Sequence, residues 1–217
     1  MENINEFSKE YLEEWNKYFY PNSEVFINKL NITDLEELRL KDAELSLLRM
    51  TELSKQKYKG DFNKQRLLNI HGYLFQDLYE WAGKYRTVYM GKNSSYFASV
   101  QDIDSYLDST FELMDNEVKS IHSYYEFISF IVKYYVILLN IHPFREGNGR
   151  TIKHFFTEYV LAKSKSVLGE QYELNWGNMD FDALEQAMVL ARTFKGPLEA
   201  EFMKALVKSP KNDKLNI

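Results

Sequence analysis

The chain has 217 residues, 45% hydrophobic and 27% charged, with a net charge of −5 and a pI of about 5.5. That balance fits one ordinary globular domain and matches poorly the basic patch of a dedicated nucleic-acid binder. There is no cysteine, which excludes disulfides, thiolate chemistry and Cys-ligated zinc or iron–sulfur clusters.

The polar start, MENINEFSKEYLEEW, lacks the basic and apolar segments of a signal peptide, so a cytoplasmic chain with no membrane partner is expected. Apolar and aromatic positions at helical spacing predict a first helix over 4–18. A second is predicted in ITDLEELRLKDAELSLLRMTEL, opened by a Thr33/Glu36 capping box, with Leu35, Leu38, Ala43, Leu45 and Leu48 on its apolar face. A third, FNKQRLLNIHGYLFQDLYEWA, repeats Leu67, Ile70, Leu74 and Leu78 and is expected to stop at Gly83.

The next stretch, KYRTVYMGKNSSYFASV, changes period. Val88, Met90, Tyr96 and Ala98 alternate around a Gly-Lys-Asn-Ser turn, which predicts a short β-hairpin. An isolated hairpin is marginal in water, and one in an otherwise helical chain reads as a flap over a ligand or a docking edge for a partner strand. Helices are expected again at 101–117 and 124–140, the latter a buried core helix because Lys133 interrupts its apolar run. Another should start near Asn148 and run to about Lys163, and one or two more should fill 180–208, broken near Gly196-Pro197. No internal repeat is evident. The expected fold class is all-α, mostly helical, with one short β-hairpin flap.

Residues 142–151, HPFREGNGRT, concentrate reactive groups in one short run. Pro143 biases His142 out of helical geometry, and Gly147-Asn148-Gly149 permits a tight turn with exposed amides before the next helix. A glycine-rich turn at a helix N-terminus suits an anion. Arg150 sits in the first turn, where a cation opposes the helix dipole and where its planar fork suits a phosphate. Glu146, with phosphate oxygens, is a normal way to hold Mg²⁺. His142 alone in the run takes a proton near neutral pH, and Phe144 reads as an apolar anchor for the loop. His71, His122 and His154 lie in predicted helices and read as structural or surface residues. No Walker P-loop, G-x-G-x-x-G or H-E-x-x-H is present.

HPFREGNGR resembles the Fic motif, H-P-F-x-[D/E]-G-N-[G/K]-R, at every specified position, and LFQDLYEWAGKYR and the hairpin upstream agree with that family over roughly 20–200. The resemblance implies a protein adenylyltransferase that moves AMP from ATP to a Tyr, Ser or Thr hydroxyl of a target protein and releases pyrophosphate. His142 would be the general base, Glu146 the Mg²⁺ ligand, and Arg145, Glu146, Gly147, Asn148, Gly149 and Arg150 the nucleotide-binding run. Met90, Gly91 and Lys92 would register a target segment on the flap. A phage toxin of the family has lysine in place of Gly149 and transfers phosphate, so the resemblance, with Gly149, favours AMP. Transfer of phosphate, UMP or phosphocholine, and a non-catalytic binding module, are the alternatives.

The implied organisation is a single domain over 1–217, with a core at about 60–165, an N-terminal helical extension at 1–59, C-terminal helices at 180–208 and a loose tail at 209–217. The family's inhibitory motif, [S/T]-x-x-x-E-[G/N], has no match: Thr33 and Glu37 precede Leu38, and Ser166 and Glu170 precede Gln171. The resemblance therefore implies a toxin-like enzyme restrained by a small antitoxin that presents a Glu to Arg150, in the cytoplasm or in a cell to which the chain is delivered.

Overall fold

Helix α1 (Lys9–Asn16) opens the part of the chain that the computed structural model describes, residues 9–92, 95–191 and 194–210. Residues 4–8 of the helix expected over 4–18 lie outside it. Helix α2 (Leu35–Ser54) starts one residue later than a Thr33 cap would place it. Asp34 is the cap, accepting from the Glu37 amide at 2.8 Å, because a carboxylate satisfies the amide and also suits the positive end of the helix. The inward stripe of α2 also differs from the expected one. Leu38, Asp42, Ser46 and Leu53 point in, while Ala43 and Leu48 are exposed. Two polar residues at i and i+4 therefore occupy the middle of the buried face.

Helix α3 (Lys64–Phe75) is capped by Asn63 and ends eight residues before Gly83. Residues 76–83 wind as turns instead, with the Leu78 and Tyr79 amides both bonded to the Phe75 carbonyl. Gly83, at φ +77°, returns onto α3 so closely that a Cβ there would stand 3.1 Å from the Gly72 Cα. Leu67, Ile70, Leu74 and Leu78 are buried as the spacing predicts.

The hairpin is short: β1 (Gly91–Lys92) pairs antiparallel with β2 (Ser95–Tyr96). Helices α4 (Ile103–Glu117), α5 (Tyr124–Ile141) and α6 (Asn148–Leu168) follow, then α7 (Phe181–Leu190) and α8 (Gly196–Ala205). Ser123 and Glu126 form a full capping box on α5. Among the described residues, α5 is the one helix long and apolar enough to cross a membrane by length and composition. Ten of its eighteen residues are buried, and it packs against α4, α6 and α8, as a core helix does.

A second antiparallel pair was not legible in the periodicity. β3 (Tyr172–Leu174) pairs with β4 (Leu206–Lys208), Leu174 opposite Leu206. The last helix thus stops at Ala205 rather than running to 208. Both leucines are buried, so the pairing closes the core behind α6 and α8 while satisfying the backbone.

A hairpin of two residue pairs needs support from outside itself, and Arg86 supplies it. This arginine is 1% exposed. Its guanidinium donates to the carbonyls of Val88 (2.7 Å) and Ala98 at the two feet of the hairpin, and to those of His142 (2.8 Å) and Ile141 (3.4 Å) at the end of α5. Its own amide donates to the Pro143 carbonyl, and the Ala98 amide to that of Asn140. Burial pulls its pKa below the usual arginine range, but the carbonyl cage matches the fork donor by donor. Arg86→Met strips donors from several buried carbonyls at about 1–3 kcal/mol each. We expect it to lower stability by at least about 3 kcal/mol, a fall in melting temperature of roughly 6–12 °C. A thermal unfolding curve that shifts by less than roughly 2 °C would contradict the role assigned to the cage.

Candidate active site

The motif begins where α5 stops. His142 is the C-cap, in the left-handed region at φ +50° and ψ +61°, a conformation that costs a non-glycine residue about 1–2 kcal/mol. Its amide donates to the Leu138 carbonyl and its carbonyl accepts from Arg86. The ring lies parallel to Phe97, just past β2, with centroids 3.8 Å apart and 4° between planes. Nδ1 is 3.3 Å from the Leu139 carbonyl. A carbonyl only accepts, so Nδ1 carries the hydrogen and the neutral ring keeps its lone pair on Nε2.

The loop from Pro143 to Gly147 is closed by Asn148. Its Oδ1 accepts from the Phe144 amide at 3.0 Å and its Nδ2 donates to the Phe144 carbonyl at 2.8 Å. Phe144 is fully buried and stacks on His71 at 3.8 Å. Gly147 adopts φ +80°, and a Cβ there would come within 2.3 Å of the Phe75 ring, so conformation and space both demand glycine. Gly147 is the N-cap of α6, and no side chain caps that end. The first-turn amides of α6, at Asn148, Gly149 and Arg150, are thus the unpaired donors every helix start leaves. Gly149 has open space where a Cβ would be.

Glu146 is exposed. Its Oε1 accepts from the Gly147 amide at 2.8 Å and lies 3.6 Å from Arg150 Nη2. Arg150 Nη1 donates to Asp42 Oδ1 and, at 2.9 Å, to Ser46 Oγ, and the guanidinium rides over Phe75. Glu146, Arg150 and Asp42 line one cleft of about 410 Å³ with Arg39, Tyr79 and Phe26. Arg145 turns the other way. It is 7% exposed, and its guanidinium sits among the rings of Trp15, Tyr18, Phe19 and Phe26, 4.4 to 5.4 Å from their centroids. The structure therefore gathers His142, Glu146, Gly147, Asn148, Gly149 and Arg150 about one helix start and directs Arg145 into the N-terminal segment. On the flap, Gly91 and Lys92 supply β1, and the Met90 carbonyl accepts from the Phe97 amide at 3.0 Å. Asn93 and Ser94, the middle of the turn, lie outside the described residues.

A scan of family models matches residues 61–160 to the Fic/DOC family. A similar protein is the "Probable protein adenylyltransferase y4lH" of Sinorhizobium fredii, 30% identical over 192 residues that span 86% of this chain and 94% of that one. The chain belongs to the Fic/DOC family. "Protein adenylyltransferase VbhT" of Bartonella schoenbuchensis is 31% identical over 88% of this chain, which spans only 38% of that protein's length. Among solved structures, BepC of Bartonella tribocorum with bound AMPPNP superposes with a TM-score of 0.75 at 20% identity, covering 89% of this chain and 98% of that one. The Fic domain of Bep8 from Bartonella sp. 1-1C also gives 0.75, at 22% identity, over 90% and 96% of the two chains. Mostly helical architecture with a hairpin is thus the Fic fold in this chain.

Several residues around the Fic motif have no signature in the sequence. Asp42 and Ser46 reach Arg150 across more than a hundred positions. Arg86 and Phe97 hold His142 from the hairpin. His71 lies beneath the loop, fully buried. Its Nδ1 accepts from the Gly83 amide at 2.7 Å and its Nε2 donates to the Glu146 carbonyl at 3.0 Å. Those partners fix one neutral tautomer, and the LxxIHGYLF pattern of α3 gives only a buried face as a clue.

Burial pushes the His71 pKa down to about 3. Unfolded, it titrates near 6.5. The neutral folded form therefore contributes its full stability above pH 6.5. That contribution is lost as pH falls, down to about 3, because only the unfolded chain takes up the proton. Between pH 7 and pH 5 the loss is about 2 kcal/mol. Urea unfolding across that range should show the slope in the wild type and a flatter curve in His71→Gln. Equal slopes would mean that His71 is not held neutral.

Proposed function

We propose that this Fic domain is a protein adenylyltransferase that transfers AMP from ATP to a Tyr, Ser or Thr hydroxyl of a target protein. One observation carries the reading: a histidine with its lone pair on Nε2, an uncapped helix start, Glu146 and Arg150 stand together around a single loop. The relatives named protein adenylyltransferase and the BepC structure with AMPPNP support it.

The first-turn amides of α6 bind the phosphate chain, whose charge suits the positive end of the helix. Arg150 holds the distal phosphates and leaves the α-phosphorus facing His142. The target hydroxyl loses its proton to His142 Nε2 as its oxygen attacks the α-phosphorus. The bond from that phosphorus to the bridging oxygen breaks, and pyrophosphate leaves with the electron pair. No group of three or more His, Asp or Glu side chains forms a metal cage among the described residues. A lone exposed carboxylate beside a phosphate site still fits Mg²⁺, which takes most of its remaining ligands from phosphates and water. Glu146 would hold the ion, and the ion would offset phosphate charge.

The flap edge at Met90, Gly91 and Lys92 registers the target segment by main-chain pairing. Phe144 and Arg145 serve the loop from behind, Phe144 on His71 and Arg145 in its aromatic cage. On this reading the chain is one Fic domain with its core at about 60–165, flanked by the N-terminal extension and the C-terminal helices. It is toxin-like and acts in the cytoplasm or in a recipient cell. An antitoxin would enter the cleft beside Arg150 with a Glu and meet Asp42 already on the guanidinium.

Two substitutions should differ in kind. His142→Ala should reduce transfer at least a thousandfold, in line with loss of a general base that also aligns its substrate, and leave ATP binding within about twofold. Arg150→Ala should weaken ATP binding at least about tenfold, the scale of one lost charge-assisted contact. Titration calorimetry beside a transfer assay separates the two. Equal loss of ATP binding in both would overturn the role given to His142.

A further inference from the structure

Arg150 begins a helix whose dipole opposes it, yet its side chain is well held. The holding groups come from α2, outside the segment that carries the family match. Asp42, 7% exposed, gives Oδ1 to Arg150 Nη1 and Oδ2 to the Tyr79 hydroxyl at 2.9 Å. Ser46, one turn along α2, takes the same Nη1 at 2.9 Å. Tyr79 is itself 2% exposed and stacked on Trp81 at 4.3 Å, 11° from parallel. A carboxylate gripped by a buried phenol cannot follow the arginine, so the arginine must follow the carboxylate.

The geometry is directional. Asp42 and Ser46 engage Nη1. Nη2 faces Glu146 at 3.6 Å, on the side of the uncapped α6 start. Phe75 supports the guanidinium face at 4.7 Å. Fixing one nitrogen and supporting the plane leaves the fork aimed at the anion site.

We infer that Asp42, anchored by Tyr79 and aided by Ser46, is a positioning residue that presets Arg150 for the distal phosphates of the nucleotide. The inference rests on the transfer reading above for the identity of the ligand. It makes the N-terminal helix α2 part of the nucleotide site, although Asp42 touches no reacting atom. Presetting spares the ordering of a long flexible side chain on binding, so its loss should appear for ATP and not for a nucleotide too short to reach Arg150.

The test measures binding of ATP and of AMP, each with Mg²⁺, to the full chain by calorimetry, and the ATP dependence of transfer. Asp42→Ala should weaken ATP binding at least tenfold, leave AMP binding within twofold, and raise KM for ATP more than it lowers kcat. Asp42→Asn, which keeps an acceptor for Arg150, should recover part of the loss. Tyr79→Phe removes only the anchor hydroxyl and should shift ATP binding in the same direction by a few-fold. Unchanged ATP binding in Asp42→Ala would overturn the inference. Tighter binding would overturn it too, because Asp42 would then be competing with phosphate. If Asp42→Ala loses AMP binding as well, Tyr79→Phe decides: wild-type affinity for ATP there sinks the idea. A wild-type chain that binds neither nucleotide overturns both readings. One that binds and transfers, with indifferent variants, overturns only this one.

Discussion

Two hydrogen bonds from one amide side chain hold the site in shape. Asn148 clasps the Phe144 backbone through both its oxygen and its nitrogen. It thereby closes the loop between a helix that ends in a left-handed histidine and a helix that starts after a left-handed glycine. That clasp sets the distance between His142 and the α6 amides. The surroundings serve it: Phe144 is pinned on His71, the Glu146 carbonyl on His71 Nε2, and Gly147 against Phe75. A loop that holds a histidine at positive φ is costly on its own and persists because a packed shell overdetermines it.

Charge explains the rest of the arrangement. The site concentrates positive potential: a helix start, Arg150, and Arg86 behind His142. Each cation is answered differently. Arg86 is answered by carbonyls, Arg145 by the faces of aromatic rings, and Arg150 by the carboxylate of Asp42 and, more distantly, Glu146. At the α6 start, beside Arg150, no side-chain cap answers the helix donors. The proposed phosphate ligand would complete that balance. The N-terminal segment contributes on two sides, α2 through Asp42 and the α1 region through the rings about Arg145, so it belongs to the site as much as the matched segment does.

Much of this was legible in the chain itself. Helical periodicity located α2 to α8, although α3 stops eight residues short of its expected end, the change of period located the hairpin, and one run of ten residues pointed to the candidate site because its groups are close in sequence. What escaped shares one property: its meaning depends on a distant partner. Asp42 and Ser46 sit where an amphipathic helix should be apolar, and a lone carboxylate there reads as solvated until Arg150 is placed over a hundred positions away. Arg86 reads as a surface cation because no carboxylate marks its site; carbonyls leave no trace in sequence. Arg145 falls inside the motif, so proximity suggested the nucleotide, but successive residues of a turn point to different sides. β3 and β4 are three residues each, far apart in the chain and too short for alternation to show.

On the proposed function, this loop moves an adenylyl group from ATP to protein. The most direct test incubates the purified chain with Mg²⁺ and either α-³²P- or γ-³²P-ATP in a bacterial lysate. A protein band labelled from the α-phosphate alone, of the mass of an AMP adduct, is the result expected. A band labelled from the γ-phosphate would contradict it and assign the site to phosphate transfer.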